Sequence, residues 1–577
     1  MSEMRLDPVT TELVRHELGA LVDDMMLSVL RSAHSQVVKI TMDFSTALCD
    51  AEGRMIAQGT ALPLHLGAIP DAMQAMLQHF KNRIGRGDIL AMNDPYAGGM
   101  HLPDLFMFRP IFDGDALLAF AAIVVHLPDI GGRMPGGVAT DSQNLYQEGL
   151  QIPPVKLIEA DEPNATLFEL IEANVRVPDL VMGDIRAQIA ACHFAERGYL
   201  DIVRRHGRET LAAHQTALLD VAEAIARRRI AAMPDGTYTF KDYIDGDGID
   251  PNPIPICAAV TIAGDEIVVD FTGTSAQVKG AINATYSVTK SVAYFVVRSV
   301  IDEELPDNEG YFRPIRVIAP EGSIVNPTYP AACGARGLTG FRVIDTLFGA
   351  FAQALPQRVA AAGEGGVTVI SLSGTRPGGD DAFIYLDILQ GAWGGRESGD
   401  GEEAVTNPAG NMTNTPVELA ETQAPIRIEA YALVPDSGGA GQFRGGLALR
   451  RDIKFLADDV TVQIRSDRRD FLPYGLAGGM PGTASSVHLV RDGSTELLEP
   501  KVTLTARHGD VLQVQIPGAG GYGRPRLRDP AHVLEDVLDE KISVELAERV
   551  YGVFLDTSSQ RIDAARTQKH RAERTSG

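Results

Sequence analysis

Cysteine and tryptophan are scarce in this chain, whose 577 residues include four cysteines and a single tryptophan. The cysteines, at positions 49, 192, 257 and 333, lie far apart and form no Cys-x-x-Cys pair. This spacing argues against a disulfide framework and favours a reducing compartment. We expect each cysteine to be a small residue of the hydrophobic core.

The chain also has few positively charged residues relative to acidic ones, and no long apolar run. The chain has 52 Lys and Arg against 76 Asp and Glu, a net charge of −24, which leaves no basic surface for tracking phosphates. The most apolar run, Ala116 to Val125, is far shorter than the ~20 residues of a membrane helix. The first eight residues show no secretory signal pattern. We therefore predict a soluble cytoplasmic protein that binds neither nucleic acid nor membranes.

Three common catalytic motifs are absent from the sequence. No Gly-x-x-x-x-Gly-Lys-Ser/Thr phosphate loop occurs, and no Gly-x-Gly-x-x-Gly stands between a good strand and a helix. There is also no Gly-x-Ser-x-Gly nucleophile elbow. The chain thus lacks support both for nucleotide chemistry of its own and for a catalytic serine.

The length and the 45% hydrophobic content predict a multidomain globular protein of mixed α/β (α+β) class. Helical periodicity marks several segments, the first of them from Pro8 to about Val38, and strand-like alternation marks 426–516. The charged end of the tail, about its last 12 residues, is predicted to be disordered. We divide the chain into an N-terminal α/β metal-binding domain (1–233), a central α/β domain (234–420), a β-rich domain (421–525) and a helical C-terminal tail (526–577).

Two His-x-x-Asp groups stand out in Gly- and Pro-rich turns, His101 to Asp104 and His126 to Asp129. In both, a proline immediately precedes the aspartate, and an apolar strand, 119–125, connects the two groups. Gly98-Gly99 allows backbone conformations in which a histidine and a nearby carboxylate converge on one point. Imidazole and carboxylate together suit Zn²⁺, Mn²⁺ or Fe²⁺. This pattern predicts a metal site.

Asp43 stands at a helix-to-strand transition and can complete a set of two histidines and two carboxylates with His101, Asp104 and His126. Asp129 then becomes a partner that orients an imidazole. Other interpretations remain open at this point. A single His-x-x-Asp is often a surface ion pair, and Asp43 by itself is more often a solvated turn acid or a cap. His65, between two leucines, is more often a hydrogen-bonded core histidine than a functional one.

Five sequence motifs, some of which contain the residues above, together resemble those of one family, the hydantoinase B/oxoprolinase family. The resemblance covers nearly the whole chain, from about Pro8 to beyond Arg524. The motifs are Asp43-Phe-Ser, Asn93-Asp-Pro-Tyr-x-Gly-Gly-x-His-Leu-Pro-Asp104, His126-x-x-Asp-Ile-Gly-Gly132, Glu148-Gly-x-x-Ile-Pro-Pro154 and Ser437-Gly-Gly-Ala-Gly-x-Phe-Arg-Gly-Gly446.

The resemblance implies one half of a two-component ATP-dependent enzyme. In that family an A-type subunit of actin-like fold holds ATP and the B-type subunit holds a metal ion, which would explain the missing phosphate loop. An α2β2 heterotetramer is the expected assembly. Matching the family's motif assigns Asp43, His101, Asp104 and His126 as metal ligands, with Zn²⁺ expected first and Mn²⁺ second.

Hydrolysis of a cyclic amide is the activity that the resemblance favours. The expected substrate is a lactam, a hydantoin or 5-oxoproline, phosphorylated by the A-type subunit, with Asp129 or His65 as the catalytic proton relay. Many relatives carry an acidic residue just before the equivalent of Asp43, whereas this chain has Lys39-Ile-Thr-Met42 there. That departure favours ring opening over the activity of acetone and acetophenone carboxylases, which are distant family members. Two alternatives stay open, a subunit of an ATP-dependent ketone carboxylase and a non-catalytic scaffold subunit.

Overall fold

The computed structural model describes residues 6–59, 62–65, 67–379, 381–556 and 561–573. The chain forms two compact units, each built from more than one stretch of sequence. The first unit contains Met1–Tyr238, Cys257–Val343 and Ala409–Met412, and the second contains Thr239–Ile256, Ile344–Pro408 and Thr413–Gly577. The boundaries of the four domains predicted from the sequence stay predictions.

Among the described residues, seven α-helices belong to the first unit, and an eighth begins in it. Asp7 caps the first helix, since its carboxylate accepts hydrogen bonds from the amides of Val9 and Thr10. The predicted helix from Pro8 to Val38 is in fact two helices, because Ala33 adopts an extended conformation between them. The helices are α1 (Pro8–Ser32), α2 (Gln36–Lys39), α3 (Ala68–Phe80), α4 (Ala165–Asn174), α5 (Pro178–His206), α6 (Arg208–Ile230), α7 (Tyr286–Val300) and α8 (Gly337–Ala354).

A seven-stranded antiparallel sheet forms the centre of the first unit. Its spatial order is β2-β1-β5-β4-β3-β6-β7. The strands are β1 (Phe44–Asp50), β2 (Met55–Gln58), β3 (Ile89–Met92), β4 (Asp104–Asp113), β5 (Ala116–His126), β6 (Val155–Glu159) and β7 (Glu162–Pro163).

The connection between the two His-x-x-Asp groups differs from the prediction of one apolar strand. It is a hairpin of two strands, β4 and β5, which reverses direction at Gly114. The prediction was wrong because the apolar residues of β4 and β5 form one nearly continuous stretch, and the turn between them is very short. The hairpin brings the two ends of the segment together, with Asp104 directly opposite His126.

Helices α1 and α5 pack against each other, and α5 also packs against β4 and β5. Helix α1 buries one stripe that includes Val14, Leu18 and Val22, as its periodicity predicts. These residues share a core with inward-facing positions of the sheet such as Met107 and Ile123. The sheet is thereby fixed in the interior of the unit, with the β4–β5 hairpin packed against α5.

The first unit also contains a smaller strand group beside α7. β10 (Glu266–Asp270) pairs antiparallel with β9 (Ile254–Ala263) and parallel with β11 (Ile315–Ile318). Both β8 (Gly236–Ile244) and β9 have residues in each of the two units. Helix α7 packs against α3 and β11.

The second unit contains a β-sandwich, most of which lies in the β-rich region predicted from the sequence. One sheet has the order β13-β12-β16-β19 and the other β14-β15-β20-β17-β18. Both sheets contribute to one hydrophobic core. The strands are β12 (Thr368–Thr375), β13 (Ala382–Leu389), β14 (Ile426–Val434), β15 (Ala448–Phe455), β16 (Val460–Arg465), β17 (Ser486–Arg491), β18 (Ser494–Leu497), β19 (Lys501–Ala506) and β20 (Val511–Gln515).

Glycine-rich segments of the second unit pack backbone against backbone. A Cβ at Gly445 would lie 2.1 Å from the carbonyl oxygen of Ala519, and one at Gly520 would lie 2.0 Å from that of Tyr474. The amide of Gly439 donates to the Ala519 carbonyl. Side chains would force these segments apart, which accounts for the glycines of the 437–446 motif.

The C-terminal tail is ordered further than predicted. Residues 564–573 form a helix instead of the expected disordered end, whereas residues 574–577 lie outside the described ranges. Packing around the buried side chains of Val533, Ile542 and Tyr551 holds the tail. Its elements are α10 (Pro530–Leu538), α11 (Val544–Leu546), a π-helical turn (Ala547–Tyr551), β21 (Leu555–Asp556), β22 (Arg561–Ile562) and α12 (Ala564–Glu573). Helix α9 (Val417–Gln423) lies earlier in the chain, between the sandwich strands β13 and β14.

All four cysteines are free thiols. Three of them are buried as expected, and Cys257 is half-buried. Across the described ranges, no helix combines the length and the apolar character that crossing a membrane requires.

Candidate functional site

The loop from Asn93 to Asp104 is held in place by its own first residue. Asn93 is fully buried, and its side-chain amide donates to the carbonyls of Leu102 (2.7 Å) and Leu150 (2.9 Å). Its side-chain oxygen accepts a hydrogen bond of 2.6 Å from the amide of Ile152. One asparagine therefore fixes both ends of the loop that carries His101.

The Gly98-Gly99 turn lies between α3 and the start of α7. Gly98 has a φ of +99°, and a Cβ there would lie 2.7 Å from the backbone of Asp71 in α3. Ser287 donates a hydrogen bond of 2.5 Å to the carbonyl of Gly99. Glycine is needed at position 98 because both the backbone angle and the close approach exclude a side chain. The turn directs the following residues, including His101, into the interior.

The strand register places three of the predicted ligands in one row. Asp104 in β4 pairs with His126 in β5, and the amide of His126 donates to the carbonyl of Asp43, just before β1. Residues that are direct neighbours across adjacent strands project from the same face of a sheet. Asp43, His126 and Asp104 therefore come together at one end of the sheet, although they are distant in the sequence.

His101 and His65 complete a buried cluster of five residues. The Nδ1 atom of His101 lies 2.7 Å from Oδ2 of Asp104, and its ring centroid lies 4.9 Å from that of His126. The Nε2 atom of His65 lies 3.8 Å from Oδ1 of Asp43. All five residues are at most 8% exposed. The structure thus brings the four predicted metal ligands and His65 together.

Several polar atoms of this cluster have no hydrogen-bond partner among the described residues. They are Nδ1 of His101, Oδ1 of Asp104, Nδ1 of His126 and Nε2 of His65. Nδ1 of His101 lies 2.7 Å from Oδ2 of Asp104, but the angle of this contact does not meet that of a hydrogen bond. Buried polar atoms are nearly always satisfied in folded proteins, and unpaired nitrogen and oxygen atoms at a functional site point to a ligand.

The cluster does not form a closed coordination sphere. Within the ranges that the structure describes, no group of three or more His, Cys, Asp or Glu side chains has metal-binding geometry. The types of donor fit a divalent cation, two imidazoles with two carboxylates. A guanidinium shares the space, however, because Arg336 donates a hydrogen bond of 2.5 Å to Oδ2 of Asp104.

Burial and the charge of Arg336 act together on the protonation of the His101–Asp104 pair. Burial alone would raise the pKa of Asp104, but the guanidinium of Arg336 holds that pKa well below its usual range. Burial, reinforced by Arg336, also lowers the pKa of the His101 imidazole. Asp104 is therefore a carboxylate and His101 a neutral imidazole at neutral pH, the forms in which both residues ligate metals.

His65 is a hydrogen-bonded buried histidine, in agreement with the simpler interpretation of its sequence context. Its Nδ1 atom lies 3.0 Å from the hydroxyl of Ser45. Burial lowers the pKa of His65, although the nearby carboxylates of Asp104 and Asp43 act in the opposite direction. Its second ring nitrogen faces the cluster, so the structural interpretation and the functional one are compatible.

Asp129 has backbone partners away from the cluster. Its Oδ1 accepts from the amide of Gly136 (3.0 Å), and its Oδ2 accepts from the amide of Arg176 (2.7 Å). The guanidinium of Arg176 adds a third contact at 3.2 Å. Asp129 thus anchors the loop after His126. Its catalytic role stays a prediction.

Two residues of the site were not identified from the sequence. Arg336 lies 232 residues after its partner Asp104, and no local motif connects the two. Glu148 belongs to a quoted motif but received no role, and it is a buried carboxyl beside the turn that carries Arg336. The cluster of glycines around Glu148 was a signal of close backbone packing that could have drawn attention to it.

Comparison with known proteins agrees with these observations. The family model described as Hydantoinase B/oxoprolinase matches residues 7–525. The chain is 33% identical over 586 residues to the putative D-/L-hydantoinase B subunit of Pseudomonas sp. (strain NS671), with 98% of each chain covered. It is 32% identical over 580 residues to the beta subunit of the caprolactamase of Pseudomonas jessenii, covering 98% of this chain and 99% of the relative.

Solved structures show the same fold. The crystal structure of the ATP-dependent caprolactamase from Pseudomonas jessenii matches with a TM-score of 0.91 and 30% identity, covering 98% of this chain and all of the other. A nucleotide-free acetone carboxylase structure also matches with a TM-score of 0.91, covering 99% of this chain and 83% of the other. That second match has 20% identity and shows a shared fold alone. Motifs, fold and family match agree, and the chain belongs to the hydantoinase B/oxoprolinase family.

Proposed function

We propose that this chain is the metal-binding B-type subunit of a two-component ATP-dependent cyclic amide hydrolase that opens a lactam, hydantoin or 5-oxoproline ring. The observation that carries the proposal is the buried His101–Asp104 pair, with His126 opposite and Asp43 beside it. Family membership supports the same conclusion, since the relatives include proteins named as the B subunit of a hydantoinase and the beta subunit of a caprolactamase.

Asp43, His101, Asp104 and His126 are the residues that would hold a divalent cation, Zn²⁺ in the first place and Mn²⁺ in the second. The unpaired buried atoms of His101, Asp104 and His126 support this assignment. A bound ion of this kind supplies Lewis acidity that lowers the pKa of water to about 7.

The residues of the chain itself prepare the site in three ways. Arg336 keeps Asp104 ionised and helps to keep His101 neutral. The walls of the cluster exclude bulk water, which strengthens each electrostatic interaction inside it. His65 is held neutral with Nε2 facing the cluster, so that it can accept a proton from an attacking water and pass it to the leaving amine.

A partner protein is part of the proposal. A cyclic amide resists hydrolysis because resonance makes its carbonyl a poor electrophile. We assign activation to an A-type partner of actin-like fold, which would bind ATP and phosphorylate the amide oxygen, releasing ADP. Attack of water on the carbon and cleavage of the C–N bond would then give the amine and an acyl phosphate. A second water would hydrolyse the acyl phosphate to the acid and inorganic phosphate. Two relatives are named as one component of a larger enzyme, a B subunit and a beta subunit, and these names support a partner in an assembly such as α2β2.

The test is co-expression with an A-type subunit, followed by purification of the complex. Hydantoin, 5-oxoproline and caprolactam are supplied with and without ATP, and the ring-opened acids are measured by mass spectrometry. ATP-dependent opening of at least one ring supports the proposal. A complex that assembles, carries stoichiometric metal and opens no ring contradicts it.

The same experiment separates the two alternatives. Acetone and acetophenone are supplied with ATP and labelled bicarbonate, and label in a new carboxylate identifies a ketone carboxylase. A complex that assembles without metal and turns over neither class of substrate identifies a scaffold subunit.

A further inference from the structure

Glu148 is a buried carboxyl at the end of the 3₁₀ turn Leu145–Gln147, and it is 2% exposed. Its Oε1 atom accepts a hydrogen bond of 2.6 Å from the amide of Gly334. Its Oε2 atom lies 3.8 Å from the thiol sulfur of Cys333, which donates to it. The carboxyl therefore holds two consecutive residues of a distant loop.

The fit around this carboxyl is tight. A Cβ at Gly334 would lie 2.5 Å from the carbonyl of Gly137 and 3.0 Å from Oε1 of Glu148. Gly132, with a φ of +81°, would place a Cβ 2.5 Å from the backbone of Glu148. Three segments thus pack closely around the side chain of Glu148. This packing is possible because Gly132 and Gly334 have no side chains.

The loop that Glu148 holds continues directly to Arg336. The amide of Arg336 donates to the carbonyl of Cys333 at 3.0 Å, so residues 333–336 form a single turn. The guanidinium at the end of this turn donates to Oδ2 of Asp104. A continuous chain of contacts therefore leads from Glu148 through Gly334 and Arg336 to the His101–Asp104 pair.

We propose that Glu148 is a positioning residue that acts through Arg336, by holding the 333–336 turn so that the guanidinium stays on Asp104. The inference rests on the proposed function only where ring opening is the readout. Glu148 itself touches neither of the two predicted ligands that Arg336 influences.

The neutral form of Glu148 suits this task. Among the described residues no Lys, Arg or His nitrogen lies within 4.0 Å of its carboxyl, and burial raises its pKa to about 8. The titratable groups that face it are Cys333, Arg336 and Tyr96. Burial raises the pKa of both the Cys333 thiol and the Tyr96 phenol, so these two groups remain neutral through pH 8. Once ionised, Glu148 becomes a second anion that draws the Arg336 guanidinium away from Asp104.

The test uses the co-purified complex and the pH dependence of kcat/KM between pH 6 and 10. The wild type is expected to lose activity above about pH 8 as Glu148 ionises. Glu148→Gln keeps the shape and the neutral charge, so its activity should stay level through this range. Glu148→Ala loses the hold on the turn and should be at least tenfold less active at every pH.

Glu364→Gln is the matched control. Glu364 is another buried carboxyl, in the second unit, whose pKa burial also raises to about 8. This variant should retain the loss of activity above pH 8. If Glu148→Gln retains it as well, or is as inactive as Glu148→Ala, the inference is overturned.

A second readout needs no enzymatic activity. Infrared spectroscopy detects the carbonyl band of a protonated carboxyl, and the band missing from Glu148→Gln belongs to Glu148. The positive charge of Arg336 lowers the pKa of Glu148, so Arg336→Met should move the titration of this band to higher pH. An unchanged midpoint overturns the coupling. If the complex opens no ring while the midpoint moves as expected, the proposed function fails and the positioning role stands.

Discussion

Replacing the buried carboxyl of Glu364 should change how the stability of the second unit depends on pH. Glu364 is 3% exposed, and its Oε1 atom accepts from the amide of Val367 at 3.1 Å. Its Oε2 atom has no hydrogen-bond partner among the described residues. Burial raises its pKa from the ordinary value of 4.5 to about 8. The folded unit therefore keeps a proton that the unfolded chain releases.

The sign and size of the effect follow from linkage. Between pH 4.5 and 8 the unfolded state binds fewer protons than the folded state, so the free energy of unfolding falls as pH rises. The difference of 8 − 4.5 = 3.5 pKa units corresponds to about 5 kcal/mol, at about 1.36 kcal/mol per unit. The stabilising contribution is complete below pH 4.5 and is lost by about pH 8.

Glu364→Gln removes this proton-linked contribution. We therefore expect the stability of the variant relative to wild type to increase by about 5 kcal/mol between pH 4.5 and 8. Trp393 is the only tryptophan, and its indole donates to the carbonyl of Thr406 within the same unit. Its fluorescence follows unfolding of that unit in urea.

The matched control is Glu397→Gln, the same chemical change at an exposed side chain. Its stability relative to wild type should not vary with pH, because water solvates the carboxyl in both the folded and the unfolded state. A pH-independent difference between Glu364→Gln and wild type would refute the reasoning.

Three further substitutions test the packing in both units. Arg451→Met leaves the buried Asp387 without the guanidinium that lies 2.6 Å away, and this should destabilise the sandwich by about 3–5 kcal/mol. Urea unfolding followed by Trp393 fluorescence measures the loss. The double variant Arg451→Met, Asp387→Leu should recover much of it. Gly98→Ala should lower the free energy of unfolding by about 1–3 kcal/mol. Gly264→Ala should lower it less, because Gly264 also has a positive φ but a Cβ there would meet open space. Circular dichroism in urea compares the two variants. Asn93→Ala removes three side-chain hydrogen bonds and should cost about 3 kcal/mol, whereas the exposed Asn174→Ala should cost a few tenths. Equal losses in the two variants would contradict the role given to Asn93.

Much of the fold could be predicted from local sequence patterns. The strand-like alternation over 426–516 was correct, since this range contains β14, β15, β16, β17 and β20. Half-buried strands alternate apolar and polar residues, so they can be predicted from the local sequence. The two strands of the first sandwich sheet before residue 421, β12 and β13, were not predicted, because the pairing of β12 with β16 joins residues about 90 positions apart.

Some residues of the candidate site could also be predicted from local sequence patterns, and others could not. His101, Asp104 and His126 could be identified because motif and spacing place them in adjacent turns, and the β4–β5 hairpin explains why they meet. Arg336 could not be identified, since its contact with Asp104 depends on a fold that brings together residues 232 positions apart. The raised pKa of Glu148 could not be predicted from the sequence either, because the burial of a carboxyl depends on three-dimensional packing.

The most direct test of the account compares His101→Ala with His79→Ala in the purified complex. His79 is an exposed histidine of α3 in the same unit, so its replacement controls for the loss of an imidazole. Metal content by elemental analysis and ATP-dependent ring opening are measured on the same samples. We predict that His101→Ala loses both bound metal and ring opening, while His79→Ala retains both. A His101→Ala complex that opens rings at the wild-type rate without bound metal would contradict the central claim.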